Sequence, residues 1–219
     1  MTPDLVVLGA AGFGRETLDV VAAVNRVRPT WNLIGVVDDA PSGTNLERLA
    51  ALGVRHLGGL TEALALTGSL HFVVAIGAPG IRERLAHRCE AAGWQPATLV
   101  HPSATVGALT RLGAGTVLCA GVAVSTNVDL GRHVHLNPNA TVGHDTSCAD
   151  FVSLNPGAIV SGDCRIGIRC LVGAGAVVLQ GLSVGPDTVV GAAACLTKDA
   201  PPGVVVTGVP GRWAGQSLS

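Results

Sequence analysis

The sequence is short of aromatic and charged side chains. Aromatic residues make up 3% of the 219 positions, tyrosine is absent, and charged residues make up only 13%. A core built around large aromatic rings is therefore excluded, and many short elements packed through Val, Ala, Gly and Leu are favoured. The formal net charge is -1, so the sequence shows no basic surface of the kind that binds nucleic acid or anionic lipid.

Several targeting and metal-site signals are also missing. The six cysteines form no C-x-x-C pair and have no histidines at zinc-finger spacing, which favours buried free thiols in a reducing cytosol. The first residues lack the basic head and cleavage site of a signal peptide. No apolar run reaches the roughly 18 residues of a membrane span. We therefore predict a soluble, cytoplasmic protein with no nucleic-acid or membrane partner.

The first 98 residues alternate between strand-like and helix-like segments. The segments DLVVLGA, NLIGVVDD and HFVVAIG are typical of short buried strands, whereas RETLDVVAAVNRV, TEALALT and GIRERLAHRCEAAG have helical spacing of apolar residues. This order predicts an α/β domain over residues 1–98, with a small Rossmann-like parallel sheet of about three or four strands.

A six-residue repeat replaces the helical pattern after Val100. Residues 100–201 divide into 17 consecutive hexads, and the first position is Val, Leu or Ile in all but one of them, at Cys148. The fifth position is always small or aliphatic, and glycine dominates the second, where we expect a tight turn to need backbone freedom. Three hexads complete a triangular coil, so residues 99–219 are predicted to form an all-β parallel β-helix.

These motifs resemble those of the left-handed β-helix acyltransferases. The hexads, GHD at 143–145 and VVVTGVPGR at 204–212 carry the resemblance. The N-terminal GAAGFGRE and VVDD narrow it to the sialic acid O-acetyltransferase and nucleotide-amino-sugar N-acetyltransferase family, over essentially the whole chain. The resemblance implies a left-handed coil, a homotrimer, acetyl-CoA as co-substrate between adjacent β-helices, no metal, and a nucleotide-linked sugar held by the N-terminal domain.

Acetyl transfer from a thioester needs a base for the attacking group and donors for the carbonyl oxygen. Histidine suits the first task because an imidazole loses its proton near neutral pH. In the family that this sequence resembles, the histidine of the HD pair is the general base and the acid after it increases its basicity, which implies these roles for His144 and Asp145. Gly162 lies one coil of 18 residues after His144 and is the predicted oxyanion donor.

Four further residues are predicted to contact acetyl-CoA, and one of them departs from the family pattern. At the position of Ser153 some relatives carry a histidine, and serine has a shorter reach. Lys198 is the single lysine and, with Arg212, provides a cation near the C-terminal end that can face coenzyme A phosphates. Ala174 and Ala192 are assigned to the same acetyl-CoA site.

His133 and His135 raise the alternative of a zinc site. Hexapeptide proteins that resemble γ-class carbonic anhydrases bind zinc through three histidines at subunit interfaces, but an appended nucleotide-type domain has no role in that reaction. We expect both side chains instead to be partly exposed turn residues, with His135 lining the trimer interface.

The N-terminal glycines follow a strand and open a helix, where backbone N–H groups can meet an anion. Their order is G-x-x-G-x-G, which is not the dinucleotide fingerprint and argues against a nicotinamide dehydrogenase. By resemblance, Gly12, Phe13 and Gly14 contact the nucleotide sugar together with Asp38 and Asp39, which end the second strand.

The resulting hypothesis is an acetyltransferase that moves an acetyl group from acetyl-CoA to an amino group of a nucleotide-linked amino sugar. Two alternatives stay open: an O-acetyltransferase of a sialic-type or other free sugar, and a non-catalytic β-helix binding scaffold.

Overall fold

The computed structural model describes residues 2–214. The chain divides into two compact units, Met1–Pro102 and Ser103–Ser219. None of the helices in the described range combines the length and apolar character needed to cross a bilayer.

The first unit contains a four-stranded parallel sheet in the order β2-β1-β3-β4. This arrangement confirms the small α/β sheet predicted from the sequence. The elements of the unit, in chain order, are β1 (Asp4–Leu8), α1 (Gly12–Val27), β2 (Asn32–Val37), α2 (Gly43–Ala51), α3 (Leu60–Ala63), β3 (Leu70–Val74), α4 (Pro79–Ala91), β4 (Gln95–Pro96) and β5 (Leu99–Val100).

Helix α2 was not predicted. Its start is capped by Ser42, whose hydroxyl accepts a hydrogen bond of 3.2 Å from the backbone N–H of Asn45. Leu49 is the one residue of the helix that is buried, so the segment has almost none of the apolar periodicity on which a sequence-based prediction depends.

The second unit is a parallel β-helix, as the hexads predict. Each strand has two residues and pairs with the strand 18 residues further on, as Thr141 does with Ile159 and Ser147 with Arg165. The left-handed sense of the coil stays a prediction from the resemblance. The strands are β6 (Thr105–Val106), β7 (Arg111–Leu112), β8 (Val117–Leu118), β9 (Ala123–Val124), β10 (Asp129–Leu130), β11 (His135–Leu136), β12 (Thr141–Val142), β13 (Ser147–Cys148), β14 (Ser153–Leu154), β15 (Ile159–Val160), β16 (Arg165–Ile166), β17 (Leu171–Val172), β18 (Val177–Val178), β19 (Ser183–Val184), β20 (Val189–Val190), β21 (Cys195–Leu196) and β22 (Val205–Val206).

The strands form three faces, each running the length of the coil. Face one has the order β6-β9-β12-β15-β18-β21, face two has β7-β10-β13-β16-β19, and face three has β8-β11-β14-β17-β20-β22. The chain passes from face one to face two to face three within each coil, so every coil has three corners at which the hexads turn.

The interior of the coil is filled by the first and fifth positions of the hexads. Leu118, Leu136 and Val160 at first positions are fully buried, as are Val134 and Ala158 at fifth positions. Five of the six cysteines are buried free thiols, as predicted. An interior this narrow accommodates aliphatic and small side chains, which accounts for the scarcity of aromatic residues.

The left-handed backbone conformation that the turns require occurs at the fourth position of the hexad and not at the second. Asn127, Asp145 and Asp163 occupy fourth positions with φ of 55°, 60° and 56°, in the left-handed region. Gly143, at a second position, lies outside that region, but a Cβ there would overlap the backbone nitrogen of Gly162 in the next coil. The expectation that second-position glycines supply backbone freedom is therefore wrong, because they permit close approach of successive coils.

The last predicted hexad, LTKDAP, does not complete a regular coil. Val205 pairs with Val189, a separation of 16 residues instead of 18. In a regular coil the N–H of Ser183 would donate to the carbonyl of Ala200, but here that carbonyl accepts from Gly185. The side chain of Asp199 takes its place and accepts a hydrogen bond of 2.9 Å from the N–H of Ser183.

Candidate active site

The predicted His–Asp pair lies at the corner where the chain turns from face one to face two. His144 and Asp145 follow β12, and their side chains are half exposed. Nδ1 of His144 lies 2.7 Å from Oδ2 of Asp145. A proton shared on that side leaves Nε2 as the nitrogen that can accept a proton from a substrate, which is the geometry a general base requires.

The carboxylate of Asp145 has a second partner that the sequence analysis missed. Nδ2 of Asn127 donates a hydrogen bond of 2.7 Å to Oδ1 of Asp145. Hydrogen bonds from Asn127 and then His144 hold the pKa of Asp145 below its ordinary value, so its side chain is ionised at neutral pH. Asn127 lies one coil before Asp145, and applying the 18-residue spacing to Asp145 as well as to His144 would have identified it.

Gly162 lies directly against the imidazole ring. An added Cβ at Gly162 would be 2.6 Å from Nε2 of His144 and 2.7 Å from Cε1. Among the described residues, no acceptor is paired with the backbone N–H of Gly162. A base nitrogen and an amide donor on adjacent coils are the two groups that acyl transfer to a nucleophile requires.

The other predicted acetyl-CoA residues are not all at this corner. Lys198 follows β21 at the same corner, three coils or about 14 Å beyond His144. Ala174 and Ala192 are exposed at a different corner, where face three turns into face one. Ser153 lies on β14 in face three and is 2% exposed. A single chain therefore does not bring all of these residues together.

His133 and His135 are not the partly exposed turn residues that we expected. Both are buried, at 0% and 1% exposure. The ring of His133 stacks on Phe151, with centroids 5.2 Å apart, and His135 lies on β11. The residues that the structure describes contain no group of three histidine, cysteine, aspartate or glutamate side chains placed to hold a metal.

A cavity of about 440 Å³ lies in the first unit at the carboxyl ends of β1, β2 and β3. This is the edge at which open parallel sheets bind ligands, near the point where strand order reverses. Asp38 and Asp39 line the cavity, with Gly9, Leu60 and residues of α4. Gly12, Phe13 and Gly14 are not part of the wall.

The two aspartates differ in what their oxygens already contact. Oδ2 of Asp38 accepts a hydrogen bond from the N–H of Ala10 at 2.8 Å, and Oδ1 accepts one from Ala40 at 3.0 Å. Oδ1 of Asp39 accepts from the N–H of Leu60 at 2.7 Å, whereas no described residue donates to its Oδ2. Asp38 thus holds the loops together, and Asp39 presents an oxygen to the cavity.

The predicted glycine turn has a packing role. A Cβ on Gly14 would overlap the carbonyl oxygen of Gly9, so α1 can approach the end of β1 only with glycine there. Gly12 opens α1 and is exposed, and a Cβ on it would meet nothing within 4 Å. Phe13 is half-buried in the first turn of the same helix.

Helix α4 adds cations that the sequence analysis did not single out. Arg84 and Arg88 line the cavity and are exposed on one side of the helix, four residues apart. Arg82 is buried, which lowers the pKa of its guanidinium to about 9, and its Nη1 donates a hydrogen bond of 2.9 Å to the carbonyl of Ile76 in the cavity wall. Two exposed cations beside carboxylates suit a ligand with both phosphates and N–H groups.

Comparison with known sequences finds a family and a curated relative. A family model described as the PglD N-terminal domain matches residues 4–89. The GDP-perosamine N-acetyltransferase of Escherichia coli O157:H7 is 30% identical over 149 residues. That match covers 67% of this chain and 64% of the relative. This chain therefore spans less than two thirds of the length of the relative.

Solved structures match over almost the entire chain. The acetyltransferase domain of PglB from Neisseria gonorrhoeae FA1090 is 30% identical with a TM-score of 0.84, covering 97% of this chain and 100% of that domain. A histidine-to-asparagine mutant of perosamine N-acetyltransferase from Caulobacter crescentus, in complex with CoA and GDP-perosamine, is 29% identical with a TM-score of 0.88, and 99% of each chain is covered. These matches confirm the resemblance drawn from the hexads and the N-terminal motifs.

Proposed function

Because this chain belongs to the family of acetyltransferases in which a PglD N-terminal domain precedes a parallel β-solenoid, we propose that it transfers the acetyl group of acetyl-CoA to the amino group of a nucleotide-linked amino sugar. The observation that carries the proposal is the corner at which Nδ1 of His144 meets Asp145 while Nε2 lies against Gly162. A non-catalytic scaffold has no need for this arrangement.

The reaction follows from these groups. The sugar amine attacks the thioester carbonyl carbon, and Nε2 of His144 takes the proton that the nitrogen loses. The N–H of Gly162 donates to the carbonyl oxygen as it becomes negatively charged. The C–S bond then breaks, and coenzyme A leaves as its thiol after receiving the proton back from His144.

We place the nucleotide part of the substrate in the cavity of the first unit. The guanidinium groups of Arg84 and Arg88 suit a diphosphate. Oδ2 of Asp39, to which none of the described residues donates, suits an N–H of the base. The proposed substrate class agrees with the names of the relatives, which concern a GDP-linked amino sugar. No observation on this chain favours a hydroxyl over an amine acceptor. We place the reaction in the cytoplasm, where the buried thiols stay reduced.

Asp39→Asn is expected to weaken nucleotide-sugar binding by about 10- to 100-fold, the effect of losing a hydrogen bond to a charged group. Asparagine can keep the contact with the N–H of Leu60 through its remaining oxygen, so the fold is retained. Affinity for acetyl-CoA should not change, and isothermal titration with each ligand measures both. Asp19→Asn, on an exposed position of α1 outside the cavity wall, is the matched control. Equal affinity of both variants for the nucleotide sugar would remove Asp39 from the binding site.

A homotrimer is the assembly that brings the acetyl-CoA residues together. Face one lies between the corner of His144 and the corner of Ala174 and Ala192. Its outward side chains are uncharged, whereas face two carries Arg111, Asp129 and Arg165. Uncharged outer surface of this kind favours burial against another subunit. The outward residues of face one are Thr105, Ala123, Thr141, Ile159, Val177 and Cys195.

Light scattering is expected to give three times the chain mass of 21.9 kDa. A stable monomer at micromolar concentration would contradict the proposed assembly. Mixed trimers test the position of the active site more directly. His144→Asn removes the base and Ala192→Trp obstructs the other corner, so each variant alone should be inactive. Co-assembly should restore activity if the two corners come from different subunits, and no restoration would place both in one chain.

A further inference from the structure

The corner that holds His144 contains a third polar residue stacked on the pair. Asn127 and Asp145 both occupy fourth positions of hexads, with φ of 55° and 60°. Asparagine and aspartate tolerate this left-handed conformation better than most residues. Successive coils place the two side chains one above the other, and the amide of Asn127 reaches Asp145 at 2.7 Å.

The two oxygens of Asp145 are divided between its partners. Oδ1 accepts from Asn127 and Oδ2 lies against Nδ1 of His144. An exposed carboxylate with a single partner can rotate about its χ angles and lose its alignment with the imidazole. The amide of Asn127 in the adjacent coil removes that freedom, because it holds Oδ1, the carboxylate oxygen that does not contact His144.

We propose that Asn127 is a positioning residue for the reaction, which orients the Asp145 carboxylate so that it holds the His144 ring with Nε2 towards Gly162. This inference rests on the proposed function of His144 as the base. It adds a residue that does not touch the substrate and acts only through Asp145. In the adjacent coils, the titratable groups that face this corner are His144, Asp145 and Asp163, the last of which is one coil beyond Asp145.

Asn127→Gly is the variant that removes the amide with the least effect on the backbone. Glycine adopts a φ of 55° without strain. We expect kcat to fall by about 10-fold, the lower end for a hydrogen bond to a charged group, with the KM of each substrate unchanged. Asp187→Gly is the matched control, because Asp187 has a φ of 59° at the equivalent position of the corner between faces two and three. It also has a polar partner one coil away, Arg169, and no ligand residue is assigned to that corner.

A double-mutant cycle with Asp145→Gly separates positioning from general stability. If Asn127 acts through Asp145, Asn127→Gly should change kcat less than 2-fold when Asp145 is already glycine. A full 10-fold loss in that background would overturn the proposal, as would a kcat of Asn127→Gly equal to that of Asp187→Gly. If Asp145→Gly and His144→Asn both turn over normally, the proposed base itself is wrong, and Asn127 has no role through it.

Asn127→Asp keeps the shape of the side chain but replaces the donating amide with a carboxylate, which repels Oδ1 of Asp145 instead of binding it. We expect kcat to fall at least as far as in Asn127→Gly, with the KM of each substrate unchanged. A wild-type kcat for Asn127→Asp would contradict the proposal.

Discussion

Replacing His144 with asparagine is expected to lower turnover by about 10²–10⁴-fold, the usual contribution of a positioned base. Asparagine has a similar volume and keeps a polar side chain at the corner, so the assembly and both ligand affinities should be retained. Steady-state kinetics with calorimetric titration of each ligand measures the two effects separately. His87→Asn, on an exposed position of α4, is the control. Turnover of His144→Asn near that of the control would mean that His144 is not the base.

Replacing Asp145 gives a second test of the same pair. Asp145 stays ionised at neutral pH because its hydrogen bonds lower its pKa. Asp145→Asn removes the charged acceptor that holds Nδ1 of His144, so kcat should fall, but less than in His144→Asn, because the imidazole itself is retained. Steady-state kinetics of the two variants measures the difference. A kcat of Asp145→Asn equal to that of the wild type would contradict the assigned role of Asp145.

Replacing Gly162 with alanine is expected to lower turnover by about 10²-fold, comparable to the loss that a displacement of about 1 Å causes in a positioned group. The backbone of Gly162 lies outside the left-handed region and accepts alanine, but the new Cβ would stand 2.6 Å from Nε2 of His144. The half-exposed ring can move into solvent, so the melting temperature should change little.

The loss in Gly162→Ala should vanish when His144 is already asparagine, because the collision is with the imidazole ring. Kinetics of the single and double variants measures this. Gly43→Ala, where a Cβ meets nothing within 4 Å, is the control. Normal turnover of the Gly162→Ala variant would show that the imidazole of His144 does not act as the base in its observed position beside Gly162.

The sequence predicted the fold well where a strict spacing determines it. The 18-residue coil follows from the hexads, and this spacing predicts that Gly162 lies against His144, as it does in the structure. The same spacing failed at the end of the coil, where the chain returns after 16 residues and a side chain, that of Asp199, replaces a backbone acceptor. Helix α2 was not predicted, because a helix with a single buried residue does not show apolar residues at helical spacing.

Parts of the site depend on features that sequence position does not encode. His133 was expected to be partly exposed, yet it stacks on Phe151, one coil away, in a buried corner. Asp38 and Asp39 are neighbours with the same side chain, but only Asp39 presents an uncommitted oxygen to the cavity. That difference arises from the loops that fold over β1 and β2, whose N–H groups reach the first carboxylate.

The measurement that tests the central claim most directly is thiol release from acetyl-CoA in the presence of a panel of acceptors. The panel contains UDP- and GDP-linked amino sugars, the same nucleotide sugars with a hydroxyl in place of the amine, and free sugars. We predict release of coenzyme A with a nucleotide-linked amino sugar, formation of its N-acetyl product, and loss of both in His144→Asn. Release with free or hydroxyl-bearing sugars alone, or no release with any acceptor, would contradict the proposed function.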